Sequence, residues 1–175
     1  MPASPTACSS NRILLVEDEA IIALAERMTL EAAGYRVALA QNGEQAVELV
    51  STDPSYDLIL MDIDLGPGID GPEAARQINR THAVPVVFLS SNTDPSIIER
   101  AESAGSYGYV DKSSGGQAIV AAVKMGLRLF SVTEELVASR ARSEALLEAV
   151  PDMMFLFRRD GLIEDFRAGL SPKLF

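Results

Sequence analysis

The feature that most constrains the fold of this chain is a set of four short, largely apolar runs, each ending in residues that can carry chemistry. The runs cover residues 12–16, 58–61, 84–89 and 107–110, and the polar residues at or just past their ends are Glu17, Asp18, Asp62, Ser90, Tyr109 and Lys112. Unbroken apolar runs of this length are typical of strands that are covered on both faces. Because an open α/β sheet collects the carboxyl ends of its strands at one edge, the pattern predicts that these polar groups converge.

Helical patterns separate the strands, and strand and helix alternate five times along the chain. A further strand is predicted at 35–39, and helices are predicted at 19–33, 43–51, 72–80 and 94–104. The first helix has an apolar stripe at Ile21, Leu24, Met28 and Ala32. The stripe predicts an amphipathic helix, and Gly34 predicts its end. Short helical crossovers form right-handed units, so we expect an α/β fold with a doubly wound, five-stranded parallel sheet.

Composition and charge limit which molecules the chain is expected to bind and where in the cell it is expected to lie. The formal net charge is −10 over 175 residues, and an acidic surface repels nucleic acid, so we expect no DNA or RNA contact from this segment. Residues 1–11 are rich in Ser, Thr and Pro and are expected to form a flexible tail, which contains the single cysteine, Cys8. The sequence shows neither a signal peptide nor a long apolar span. The expected location is the cytoplasm, without membrane binding.

Beyond residue 117 a helical pattern continues to about residue 149, further than a fifth covering helix needs. Residues at alternating spacings of three and four form a heptad seam. The seam consists of Leu129, Val132, Leu136, Ser139, Ser143, Leu146 and Val150. Residues 153–157 and 162–166 then predict two strands, joined by a turn at Asp160-Gly161. A lone hairpin is marginal in water, so we do not expect it to be an independent domain.

The polar residues at the strand ends suit phosphoryl transfer to a carboxylate. Asp62 can attack phosphorus to form an acyl phosphate if the charge on the transferring oxygens is neutralised. Glu17, Asp18 and Asp62 together offer the hard oxygen ligands that Mg²⁺ prefers. Lys112 supplies a mobile positive charge, and Ser90 a hydroxyl donor, for the remaining oxygens. The sequence therefore predicts Mg²⁺, or alternatively Mn²⁺, as the cofactor.

Four stretches place these residues at characteristic intervals. They read ILLVEDE at residues 13–19, DLILMDI at 57–63, PVVFLS at 85–90 and GYVDK at 108–112, with 44 residues from Asp18 to Asp62 and 22 from Ser90 to Lys112. Together they resemble the response-regulator receiver domain, the chemotaxis-response-protein type of doubly wound fold. The resemblance covers about residues 11–130, and it implies a flavodoxin-like sheet with strand order 2-1-3-4-5.

The same resemblance implies a role for each matching residue. The implied roles are phosphoacceptor for Asp62, metal carboxylates for Glu17 and Asp18, switch residues for Ser90 and Tyr109, and phosphate sensing for Lys112. Asp64 and Asn92 would flank the phosphoryl group and tune its hydrolysis, or they are plain loop residues, and the backbone carbonyl near Asp64 would be a further metal ligand. The implied partner is a histidine kinase or a phosphotransfer protein.

Two features depart from the family pattern. The loop between Asp62 and Gly71 is one residue longer than the usual form, and Ser113 follows Lys112 where the family normally has proline. A cis bond before a non-proline residue costs about 3 kcal/mol, so we expect a trans bond and a looser loop around Lys112.

Residues 143–166 read SEALLEAVPDMMFLFRRDGLIEDF. This stretch resembles the opening of a PAS sensor domain, of which it covers only a fraction. The combination is similar to the front end of multidomain sensor kinases or cyclic-dinucleotide enzymes, so we expect a fragment of such a protein, for example a hybrid sensor histidine kinase. The expected organisation is a tail at 1–11, a receiver domain at 12–130, a signalling or linker helix at 131–150 and an incomplete PAS-like segment at 151–175.

The expected function is a phosphorylation-controlled switch, with no independent enzyme activity beyond its own phosphorylation and dephosphorylation. Two alternatives stay open at this point. Asp62-Ile-Asp64 also resembles the nucleophile motif of haloacid-dehalogenase-type phosphatases, although Gly66 stands where that family usually has Thr or Val. The other alternative is a receiver fold that serves only as a dimerisation scaffold.

Apolar residues beyond residue 127 lack a cover within the sequence, and this predicts a homodimer. They are Leu129, Val132, Leu136, Leu146, Leu147 and Val150 on the helix, and Phe155, Phe157, Phe166, Leu170 and Phe175 around the hairpin. Large exposed apolar patches are unusual on a monomer, and two-fold pairing is the commonest remedy. Packing of this segment onto its own receiver domain is the competing expectation.

Overall fold

A computed structural model describes residues 11–91, 94–148 and 154–167 of the chain. The strands are β1 (Arg12–Val16), β2 (Arg36–Ala40), β3 (Leu58–Asp62), β4 (Val86–Ser90), β5 (Gly108–Asp111), β6 (Met154–Phe157) and β7 (Ile163–Arg167). The helices are α1 (Ala20–Ala32), α2 (Gly43–Thr52), α3 (Gly71–Asn79), α4 (Pro95–Ser103) and α5 (Gly116–Glu148), and a short 3-10 helix (Lys112–Ser114) follows β5. The chain divides into two compact units, Met1–Ser131 and Val132–Phe175.

The first unit is built on a five-stranded parallel sheet with the strand order β2-β1-β3-β4-β5. Val16 of β1 lies beside Met61, and Asp62 of β3 lies beside Leu89 of β4. The predicted doubly wound fold and its strand order are therefore confirmed. This register aligns the carboxyl ends of the central strands, so the residues that follow them lie at one edge of the sheet.

Alternate residues of the central strands enter two separate core clusters, one on each face of the sheet. One cluster joins Met61 and its neighbours to α2, α3 and α4. The other joins Leu60 to Leu30 of α1 and Val123 of α5. Full burial of an aliphatic side chain contributes roughly 1.5–3 kcal/mol, so this double coverage explains why the strands are unbroken apolar runs.

Helix α1 forms where it is predicted but buries a different face from the predicted one. The predicted stripe points outward, since Ile21, Leu24 and Met28 are 87%, 57% and 62% exposed and Ala32 is also exposed. The buried residues of α1 are Ala23, Glu26 and Leu30. Every residue from 20 to 25 is apolar, so periodicity does not distinguish the faces. The start of α5 fixes the packing, because Gly116 has no side chain and a Cβ there would lie 2.7 Å from Cγ2 of Thr29.

Helix α5 is continuous from Gly116 to Glu148, as its pattern predicts. Leu129, Val132 and Leu136 of the seam are exposed. Strands β6 and β7 form an antiparallel hairpin with Gly161 at a φ of +85°, which confirms the predicted strand, turn and strand. No helix among the described residues is long and apolar enough to cross a membrane.

Some predictions fall outside the described residues. They concern residues 1–10 of the predicted tail, Asn92, Val150, Leu170 and Phe175. The domain limits and the homodimer stay predictions.

Candidate functional site

Three carboxylates meet where β1 and β3 end. Glu17 and Asp18 follow β1, Asp62 is the last residue of β3, and one carboxylate oxygen from each lies within 4.8 Å of the others. Glu17 and Asp62 are buried, whereas Asp18 is exposed. The structure therefore brings together the three acidic residues that the strand-end pattern placed at one edge.

Backbone amides orient all three carboxylates. The N–H of Asp64 donates to Oδ1 of Asp62 at 3.2 Å, and the N–H of Gly66 donates to Oδ2 of Asp18 at 3.2 Å. The N–H of Glu19 donates to Oε1 of Glu17 at 3.3 Å. These bonds use one oxygen of each group and leave Oδ2 of Asp62 and Oε2 of Glu17 for other partners.

Gly71 allows the start of α3 to pack against the end of β3. A Cβ at this position would lie 2.1 Å from the carbonyl oxygen of Asp62 and 3.0 Å from its carbonyl carbon. Both obstacles are backbone atoms, so no change of rotamer could relieve the clash. The N–H of Gly71 donates to the carbonyl of Ile63 at 3.0 Å, and Asp70 caps the helix by accepting from the N–H of Glu73 at 2.8 Å. The helix start therefore fixes the backbone that carries Asp62.

Lys112 bridges two of the carboxylates. Its Nζ donates to Oε2 of Glu17 at 2.5 Å and to Oδ2 of Asp62 at 2.6 Å. Lys112 begins the 3-10 helix, which Asp111 caps by accepting from the N–H of Ser113 at 2.7 Å. The described residues contain no cis peptide bond, as expected from serine at position 113.

The pKa values of Glu17 and Lys112 are both raised, for different reasons. Burial raises the pKa of Glu17 above its ordinary value, and the nearby charge of Asp62 adds to the increase, although the hydrogen bond from Lys112 opposes it. Burial by itself lowers the pKa of Lys112, but the hydrogen bonds to Asp62 and Glu17 outweigh it and the pKa is raised. Lys112 therefore stays charged, and the crowded carboxylates depend on positive charge at this point.

Ser90 and Tyr109 lie on the two neighbouring strands. Ser90 is the last residue of β4 and is fully buried, and it lies beside Asp111 in the sheet. Tyr109 of β5 is half-buried and packs against the core cluster on the α2–α4 face. It borders a cavity of about 260 Å³ that Ala101 and Glu102 of α4 also line. Ser90 and Tyr109, the two residues predicted to act as switches, thus lie on the strands next to the carboxylates, and a cavity borders Tyr109.

Asp64 and Asn92 are the two residues predicted to tune phosphoryl hydrolysis. Asp64 is exposed, and its amide holds Asp62 as described. Asn92 lies outside the described residues.

The donor set fits a hard divalent cation. All three groups are carboxylates, and Mg²⁺ prefers such oxygen ligands together with water. The ammonium of Lys112 already lies between Glu17 and Asp62, so a positive charge is stabilised at this position. The residues present could therefore hold Mg²⁺.

Glu26 is a charged residue of this region that the strand-end pattern does not identify. It lies on the buried face of α1, and its charge interacts with those of Glu17, Lys112 and Asp62. Burial raises its pKa to about 7. The only signal in the sequence is its spacing of three from Ala23 and four from Leu30, and that signal becomes informative once the buried face is known.

Comparison with known proteins gives a consistent picture for the first unit. The response regulator receiver domain family matches residues 13–124. The transcriptional regulatory protein ResD of Bacillus subtilis (strain 168) is 35% identical over 125 residues, which are 71% of this chain and 51% of that protein. The transcriptional regulatory protein PdtaR of Mycobacterium tuberculosis (strain H37Rv) is 29% identical over 165 residues, which are 94% of this chain and 78% of that protein.

A solved structure shows the same similarity in three dimensions. It is the N-terminal domain of a response regulator/sensory box/GGDEF three-domain protein from Carboxydothermus hydrogenoformans, with 43% identity and a TM-score of 0.66. The match covers 70% of this chain and 98% of that one. The chain spans about half the length of ResD.

Proposed function

This chain belongs to the response regulator receiver domain family, and from that premise we propose that it is a phosphorylation-controlled switch with Asp62 as the phosphoacceptor. The observation that carries the proposal is the buried bridge from Lys112 to Glu17 and Asp62 at the carboxyl edge of the sheet. This bridge supports the proposal, because the carboxylate that would act as the nucleophile lies beside a charge that can stabilise phosphoryl oxygens. The family match covers the Asp62-Ile-Asp64 segment, so the phosphatase alternative is not proposed.

The donor would be a phosphohistidine of a histidine kinase or phosphotransfer protein. A carboxylate oxygen of Asp62 attacks phosphorus, the P–N bond breaks as the O–P bond forms, and the leaving imidazole keeps the electron pair. Glu17, Asp18 and Asp62 would hold a Mg²⁺ ion, which neutralises phosphoryl charge when it is bound. Lys112 contributes the ammonium that pairs with a phosphoryl oxygen.

The switch would follow from the new charge at the end of β3. A phosphoryl group adds roughly −1.5 to −2 charge at neutral pH, by analogy with phosphorylated hydroxyls. Ser90 and Lys112 would turn towards it, and Tyr109 would move into the space near Ser90. The cavity that Tyr109 borders supports this proposal, because a side chain beside open space can change its position with few clashes. A differential stabilisation of a few kcal/mol is enough to change which state dominates.

The output would lie beyond the receiver. The helix α5 would carry the change to a sensor segment of the PAS type, of which the β6–β7 hairpin would be the start. The similar Carboxydothermus protein, in which a receiver is combined with a sensory box, supports this arrangement. We place the protein in the cytoplasm, as a homodimer through the helix after residue 127, within a larger signalling protein such as a hybrid sensor histidine kinase.

The test is phosphorylation of the full chain by acetyl phosphate with Mg²⁺, read by intact mass. We expect one hydroxylamine-labile phosphoryl group on the unaltered chain and none on Asp62→Asn. Asp57→Asn is the matched control, because it removes an exposed carboxylate at the opposite end of β3 from Asp62 and should keep the label. A label that persists in Asp62→Asn would show that another residue is the acceptor. An unaltered chain that takes no label would favour the scaffold alternative.

A further inference from the structure

Glu26 is a buried carboxylate that the phosphoryl chemistry leaves unused. It is 6% exposed, and within residues 11–91, 94–148 and 154–167 its Oε2 is the one buried side-chain nitrogen or oxygen without a hydrogen-bond partner. A buried oxygen without a hydrogen-bond partner destabilises the folded protein, so such atoms are rare and usually have a functional reason. A partner that reaches it in another state of the site would provide one.

Lys112 can reach the space in front of Glu26. Both residues line one open cavity of about 370 Å³, bordered by α1 and by the start of α5. Gly115 and Gly116 form part of its wall and contribute no side chains, which leaves room for the four-carbon stem of the lysine. The apolar part of the lining, for example Ile22 and Ile119, suits that stem.

Metal binding would deprive Lys112 of its present partners. Its ammonium donates to Glu17 and Asp62, and these are two of the three carboxylates that could hold a divalent cation. Two cations cannot share these oxygens without repulsion. The Lys112 side chain is only 11% exposed in its present position, so a displaced ammonium would gain from a new anion close by.

We propose that Glu26 is a positioning residue that receives the Lys112 ammonium when a divalent cation occupies Glu17, Asp18 and Asp62. This inference rests on the metal site of the proposed function. Glu26 then keeps Lys112 charged, buried and next to the phosphoacceptor, ready to pair with an incoming phosphoryl oxygen. The residue itself touches neither the metal nor the phosphoryl group.

The electrostatics of Glu26 agree with this role. Burial is the largest reason for its raised pKa, Glu17 and Asp62 add to the increase, and Lys112 opposes it. Lys112 therefore already attracts the Glu26 carboxylate electrostatically, while Oε2 of Glu26 has no hydrogen-bond partner. A closer approach would satisfy Oε2 and relieve the unfavourable burial of its charge.

The test measures Mg²⁺ affinity by calorimetric titration at pH 8 in the full chain, Glu26→Gln, Lys112→Gln and the double variant. We expect Glu26→Gln to weaken Mg²⁺ binding about fivefold or more, the lower end of usual coupling between linked sites. In the Lys112→Gln background the same change should have little effect, because the ammonium that Glu26 receives is absent. Glu26→Asp should recover part of the affinity.

A second measurement does not depend on the Lys112 variants. The NMR signals of the Lys112 Cε–Hε group should shift on Mg²⁺ addition, and Glu26→Gln should change the shifted position while leaving the metal-free one nearly unaltered.

Three results would overturn the proposal. An equal loss of affinity in both lysine backgrounds would mean that Glu26 acts only through its long-range charge. Identical Lys112 shifts with and without Glu26 would exclude the new pairing. Failure of the unaltered chain to bind Mg²⁺ would overturn the metal site of the proposed function and this inference with it, whereas the first two results leave that function intact.

Discussion

Replacement of Glu26 by glutamine should change the pH dependence of folding stability in the metal-free protein. The pKa of Glu26 is about 7 in the folded chain against an ordinary value of 4.5. Between these values the folded state binds more protons than the unfolded state, so stability falls as pH rises through this window. Below about pH 4.5 the carboxyl is neutral in both states and the penalty disappears. Glutamine cannot ionise and removes this dependence.

The size of the effect follows from the width of that window. One pKa unit corresponds to about 1.36 kcal/mol, so a shift from 4.5 to about 7 lowers the free energy of unfolding by about 3 kcal/mol at full ionisation. About 2–3 kcal/mol of this loss develops between pH 5 and 8. Glutamine brings its own cost as a buried amide, but that cost is the same at both pH values. From pH 5 to 8 the free energy of unfolding of Glu26→Gln should therefore rise by about 2–3 kcal/mol relative to that of the unaltered chain.

Urea unfolding in the presence of a metal chelator at several pH values measures this quantity. A constant difference between Glu26→Gln and the unaltered chain from pH 5 to 8 would refute the reasoning, since it would mean that Glu26 titrates alike in both states.

Three further results are expected. Gly71→Ala should destabilise the chain by about 2–3 kcal/mol in urea unfolding, because its Cβ would meet the backbone carbonyl of Asp62. A loss under about 0.5 kcal/mol, the range of an ordinary surface change, would contradict the close approach. Asp18→Asn should abolish Mg²⁺ binding in a calorimetric titration while Glu17→Gln only weakens it, and unchanged affinity in Asp18→Asn would remove the metal site. Sedimentation at tens of micromolar should show a dimer for the full chain and a monomer for a chain ending at Phe130, whereas a monomeric full chain would exclude the dimer.

The sheet and the meeting point of the carboxylates could be predicted from the sequence for one physical reason. Strands such as β1 and β3 are covered on both faces, so an unbroken apolar run marks the strand and the next polar residue marks its carboxyl end. The partners of Lys112 could not be predicted in the same way. A lysine has a flexible four-carbon stem, and its choice of Glu17 and Asp62 depends on burial that spacing does not encode.

The wrong prediction for α1 has the same origin as the omission of Glu26. The apolar stretch of residues 20–25 does not determine which face of α1 is buried. A prediction from sequence then turns the charged residues towards solvent, and this choice exposes Glu26. The structure instead exposes Ile21 and Met28 and buries Glu26. Natural sequences break such local rules mainly where function requires it. In this helix apolar side chains are exposed while a buried carboxylate shares a cavity with Lys112. This arrangement is better explained by the chemistry of the site than by the stability of the fold.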